Sequence, residues 1–133
     1  MAMSRLCLDT SAYSQFKRGL ESAVKAISGA RWIGVPSIVL GELHSGFALG
    51  TRQDENEAEL RRFLDHPVVE VIDIDAEIAK VYSEILIELR RQGTPVPTND
   101  LWIAAVSARE GAPIVTCDRH FEHIARVGKL ILE

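Results

Sequence analysis

Five short segments rich in branched apolar residues constrain this chain more than any other feature: "RLCL" (5–8), "WIGV" (32–35), "VVEVIDI" (68–74), "PIVT" (113–116) and "KLIL" (129–132). Each reads as a β-strand. Three of them (5–8, 113–116 and 129–132) are nearly continuous apolar runs rather than alternations. A strand whose side chains are apolar in both directions needs cover on both faces, as in a sheet sandwiched between helices. The segments between the strands carry helical spacing. Alternation of strand and helix throughout predicts an α/β fold with a mainly parallel sheet.

Residues 11–30, broken near Gly19, fit one or two short helices, and Pro36 suits the first turn of a helix running to about Leu49. The charged stretch from Arg52 to Asp65 has only a narrow apolar stripe, Leu60, Phe63 and Leu64, and reads as a solvated helix. From Asp75 to Gln92, apolar residues recur at three- and four-residue steps until Gly93 closes the segment as a C-cap. "GTPVPTN" (93–99) forms a loop, after which residues 100–110 resume helical spacing up to Gly111. No repeat or linker divides the 133 residues, so one domain spanning 1–133 is expected, with Met3 an alternative start to Met1.

Composition narrows the functional classes. A net charge of -4 argues against a general nucleic-acid backbone binder, so any such contact must be local. No apolar run approaches the roughly 20 residues that span a bilayer, and the expected location is the cytoplasm. Cys7 and Cys117 lack metal-like spacing and read as thiols in a reducing compartment.

The chemistry lies in four carboxylates. Asp9 and Asp118 follow the ends of predicted strands, where open α/β sheets form their ligand crevice. Asp100 stands at or just inside a helix start whose preceding loop returns to the same edge. Glu42 falls in an otherwise apolar helical stretch, "SIVLGELHSGFAL", shortly after Pro36. Each has an ordinary alternative: a helix cap for Asp100, turn residues for Asp9 and Asp118, a solvated face for Glu42. One shared cause accounts for all four more economically. Two unit charges about 4 Å apart repel by roughly 4 kcal/mol at an effective dielectric of 20, so four clustered acids require protons or cations. Oxygen-only donors select a hard divalent ion, Mg²⁺ or Mn²⁺. Thr10 and Ser11, directly after Asp9, can hold its carboxylate or touch a phosphate.

Other candidates carry less. His44 lies two residues from Glu42 on a helix and points to another side. His120 and His123 stand one turn apart beside Asp118, but a third nitrogen or sulfur ligand for zinc is absent, which leaves them on the substrate side. Nucleotide-binding, serine-hydrolase and zincin signatures are missing.

The pieces "LDTSA" (8–12), "SIVLGEL" (37–43), "TNDLWIAA" (98–105) and "IVTCDRHF" (114–121), in this order and spacing, resemble the PIN-domain ribonucleases of the VapC type, toxins of toxin-antitoxin pairs. The resemblance covers essentially the whole chain. It implies a three-layer α/β/α sandwich with a five-stranded mainly parallel sheet and an acidic metal site in which Asp9, Glu42, Asp100 and Asp118 match the family's acids. Ser11 and Thr116 are similar to its secondary polar positions, and Asn99 stands beside the third acid. It further implies Mg²⁺- or Mn²⁺-dependent RNA cleavage, a VapB-like antitoxin that blocks the site, and a homodimer. The rival expectation is a catalytically idle binding module whose acid pocket accepts a partner's arginine.

Overall fold

The computed structural model describes residues 4–133; the alternative start at Met3 lies outside them. All five predicted strands form, and they join one sheet in the order β3-β2-β1-β4-β5: β1 Arg5–Leu8, β2 Trp32–Pro36, β3 Val69–Ile72, β4 Ile114–Thr116 and β5 Lys129–Ile131. All four pairings are parallel, with Cys7 registered between Gly34 and Ile114. The helices are α1 Thr10–Lys17, α2 Glu21–Ser28, α3 Ser37–Leu49, α4 Gln53–Leu64, α5 Ala76–Gln92 and α6 Thr98–Glu110. The chain first steps outward from β1 to β2 to β3, then returns to β4 on the other side of β1. Right-handed crossovers therefore lay α1–α4 on one face and α5 and α6 on the other, giving the three-layer α/β/α sandwich. The sheet's topological switch point lies between β1 and β4.

Burial explains which strands the sequence marks most clearly. In β1, Leu6, Cys7 and Leu8 are fully buried, and in β4 Ile114, Val115 and Thr116 are too. The central strands thus match their continuous apolar runs. The edge strands do not. β5 is only half-buried along its length, and β3 exposes Glu70 and Val71, so the predicted 68–74 strand shortens to Val69–Ile72 once one side lacks a partner.

Helix boundaries follow local chemistry. Gly19, at φ +84°, breaks α1 from α2 as expected. Gly93 and Gly111 end α5 and α6 in the left-handed conformation, satisfying the last carbonyls. Pro36 corrects the expectation of a first-turn residue: it pairs with Ile72 and ends β2, so α3 begins one residue later. α6 begins at Thr98 rather than Asp100, because Pro97 completes the extended loop and its carbonyl already accepts from Leu101 N at 3.0 Å. Asp100 consequently sits inside the first helical turn.

Gly34 shows how tightly the central sheet is packed. A Cβ there would lie 2.5 Å from Trp32 Cη2 and 3.2 Å from Cys7 Sγ. The Trp32 ring is itself held by Arg5, whose guanidinium carbon is 4.4 Å from the ring centroid. Gly34→Ala is expected to destabilise the fold by about 1–3 kcal/mol through overpacking, read as a lower urea midpoint with an unchanged slope.

Candidate active site

The four carboxylates arrive from four different places at the carboxyl edge of the sheet. Asp9 directly follows β1 and caps α1. Asp118 lies two residues beyond β4 and caps the 3₁₀ turn Arg119–His123. Glu42 projects from α3 and Asp100 from the first turn of α6. The opening between β1 and β4 is the switch point, where ligands of doubly wound sheets bind.

Asp9 is 4% exposed, and its surroundings answer for that burial. Oδ1 accepts from Ser11 Oγ at 2.8 Å and from Ala12 N at 2.9 Å, while Oδ2 accepts from Thr116 Oγ1 in a very short hydrogen bond. Thr116 Oγ1 in turn accepts from Asp118 N at 2.8 Å, and Ser11 Oγ accepts from Cys117 N at 2.9 Å. Two hydroxyls thus clamp the ends of β1 and β4 together around one carboxylate. Burial pushes the Asp9 carboxyl above its ordinary range, opposed by Thr116, Ala12 and Ser11, with the Asp118 charge raising it further. The ordinary alternative for Asp9, a turn residue bonding the backbone beyond it, is met as the cap of α1, and it is compatible with a site role because the oxygen that caps Ala12 leaves lone pairs on the other.

Glu42 is fixed from two sides. Thr10 Oγ1 donates to its Oε1 and Asn99 Nδ2 donates to its Oε2 at 3.3 Å, so a residue of α1 and one of α6 orient a carboxylate of α3. Asp100 is different. Among the described residues no hydrogen bond holds its side chain, and His120 Nδ1 lies 3.7 Å from Oδ2. Its carboxyl is pushed up from 3.8 to about 6, first by burial and then by the charges of Asp118, Asp9 and Glu42, with His120 pulling the other way. All four acids therefore share one electrostatic field, with too little positive charge within it.

His120 stands closer to the acids than the sequence reading places it. Its Nδ1 is 2.9 Å from one Asp118 oxygen and 3.2 Å from the other, and its backbone N–H donates to Asp118 at 2.8 Å. Single donor atoms of Asp100, Asp118 and His120 all lie within 4.8 Å of one another, a group capable of coordinating a metal ion. The signal in the sequence was the Asp-x-His spacing "DRH", which a capped 3₁₀ turn folds back on itself. His44 points elsewhere, as expected, pairing with Glu57 at 2.8 Å on the surface, and His123 is exposed. Lys17 and Arg119 are tied to acids of this chain, Lys17 to Glu59 and Arg119 to Glu122 and Glu133.

The donor set fits a hard divalent cation: Asp100 lacks the hydrogen bonds that settle Asp9 and Glu42, and its raised carboxyl marks where positive charge is wanted.

A parallel doubly wound sheet with acids gathered at its switch point defines a class, and residues 6–127 match the family model described as PIN domain. The chain belongs to the PIN-domain family, among the VapC ribonuclease toxins of toxin-antitoxin systems. It is 35% identical over 101 residues to ribonuclease VapC2 of Rickettsia felis, covering 76% of this chain and 72% of that one. Two solved structures are similar nearly end to end. VapBC2 of Rickettsia felis bound to a DNA fragment from its promoter gives a TM-score of 0.84 at 26% identity, covering 97% of this chain and 99% of that one. DNA-bound VapBC of Salmonella typhimurium gives 0.84 at 29% identity, with 97% and 98% covered. Among the described residues, no helix is long and apolar enough to cross a membrane.

Proposed function

We propose that this chain is a Mg²⁺- or Mn²⁺-dependent ribonuclease acting as the toxin of a toxin-antitoxin pair, with a VapB-like protein as its antitoxin. The observation that carries the reading is Asp100: a carboxyl driven to about 6 by burial and by three neighbouring acids, and left without a hydrogen-bond donor among the described residues. Asp9, Asp100 and Asp118 would hold the cation. Glu42, oriented by Thr10 and Asn99, serves as a further ligand or directs the attacking water and receives its proton. A bound divalent cation would lower the pKa of that water and offset the charge of the phosphodiester. Ser11 and Thr116 keep Asp9 in one orientation and oppose its protonation. The attack is in line: water oxygen bonds to phosphorus as the bond to the leaving oxygen breaks, and that oxygen takes up a proton from solvent.

The partners follow from the relatives, which were solved as VapBC assemblies on DNA. A complex of this chain with its antitoxin is the corresponding assembly here, and we propose that the toxin within it pairs with a second copy of itself. Lys17 and Arg119 are occupied by internal ion pairs, so RNA phosphates would be met by other cations of the chain, a local contact in keeping with the net charge of -4.

The test is cleavage of structured RNA by the purified chain with Mn²⁺, with EDTA, and after Asp118→Asn. The expected result is cleavage only with metal, falling by at least about a hundredfold in the variant. Equal cleavage under all three conditions would assign the activity to a contaminant. No cleavage in any condition, with a bound arginine peptide instead, would favour the idle binding module.

A further inference from the structure

We propose that His120 is a nitrogen donor of the metal site, and that the site therefore takes Mn²⁺ or a similar d-block ion in preference to Mg²⁺. This rests on the reading of the acid cluster as a cation site, and adds which atoms complete it. A ring nitrogen at hydrogen-bond distance from one carboxylate and facing a second can share a cation with them, because the same spacing separates neighbouring donors on one ion. Adjacent donors on an octahedral ion with bonds of about 2.1 Å lie roughly 3 Å apart. His120 Nδ1 stands 2.9 Å from Asp118 Oδ1 and 3.7 Å from Asp100 Oδ2. One small movement of Asp100, which no hydrogen bond restrains among the described residues, would place the three donors on one face of such an ion.

The backbone that carries the ring is anchored on both sides along the chain, while the ring itself is half-exposed. Before it, Arg119 donates to Glu122 at 2.6 Å and to Glu133 at 2.8 Å; after it, Phe121 is fully buried. Asp118 caps the turn through the His120 backbone N–H, so ligand and cap are fixed together. A donor placed by rigid neighbours loses little freedom on binding. The chemical consequence is selectivity. Imidazole nitrogen suits d-block cations, whereas Mg²⁺ prefers oxygen donors and water. His123, exposed on the same turn, makes no comparable contact with the acids and serves as the internal control.

The experiment is pulsed electron paramagnetic resonance of the full chain loaded with substoichiometric Mn²⁺, together with calorimetric titration of Mn²⁺ and Mg²⁺. Wild type and His123→Ala should show ¹⁴N modulation from a directly bound imidazole; His120→Ala and His120→Gln should lose it. In the His120 variants Mn²⁺ affinity should fall about tenfold or more, while Mg²⁺ affinity changes by less than about twofold. Bound Mn²⁺ without ¹⁴N modulation, or modulation that survives loss of His120, would overturn the assignment while leaving the acidic site intact. Absence of any divalent binding would overturn the cation-site reading itself.

Discussion

Asp100→Asn is expected to raise the melting temperature of the metal-free protein at pH 7.5 and to abolish RNA cleavage. The two effects have one cause. The Asp100 side chain is 18% exposed, and its carboxyl is raised from 3.8 to about 6 by burial and by Asp118, Asp9 and Glu42. Because the folded value lies above the unfolded one, the protonated form favours folding. That contribution is complete below about pH 4 and is lost as pH rises through 6. At about 1.4 kcal/mol per pH unit, the loss at neutral pH is on the order of 3 kcal/mol. Asparagine has nearly the same shape and no charge at any pH, so it escapes the loss.

A gain of about 3 kcal/mol for the variant corresponds to roughly 9–15 °C for a domain of this size. It should close as the pH falls to 4. Divalent ions narrow the difference: wild type at a hundredfold excess over Kd gains about 2.7 kcal/mol from ligation, and the variant, short of one ligand, gains less. Melting curves at pH 4 and 7.5, each with EDTA and with Mn²⁺, test all of this. A metal-free variant less stable than wild type at pH 7.5 would mean that the acids do not burden one another.

How much of this was visible in the sequence depends on whether a feature is set locally. The central strands were legible because full burial leaves few polar positions, Thr116 among them, and Asp9 and Asp118 were legible because a charge within two residues of such a strand's end is conspicuous. The edge strands blurred, since Glu70 and Val71 face solvent and pairing rather than composition ends β3. The orientation of Glu42 was out of reach: it depends on Thr10 and Asn99 meeting across three helices, and nothing near residue 42 encodes that approach. His120 lay between the two cases. Its spacing from Asp118 is local, but its distance to Asp100 arises only when β4 and α6 are brought together.

The second large effect concerns a residue with no charge at all. Thr116→Val is expected to destabilise the protein by about 3 kcal/mol and to slow RNA cleavage by about ten- to a hundredfold, although valine fills nearly the same volume. Thr116 is fully buried, and its hydroxyl does two things at once: it donates to Asp9 Oδ2 and accepts from Asp118 N at 2.8 Å. Valine leaves a buried carboxylate oxygen short of a donor and a backbone N–H short of an acceptor, each costing on the order of 1–3 kcal/mol. Of the hydrogen bonds that keep Asp9 ionised, the one from Thr116 opposes burial most strongly. Without it the Asp9 carboxyl rises further, so stability should fall more steeply between acid and neutral pH than in wild type. Thr116→Ser keeps the hydroxyl and loses one methyl group, which should cost about 1 kcal/mol and leave the pH dependence unchanged. Urea unfolding of the three proteins at pH 4.5 and 7.5 separates these outcomes. Valine and serine variants of equal stability and equal pH slope would show that the hydroxyl does not join the two strand ends, and the clamp around Asp9 would then lose its role in placing Asp118.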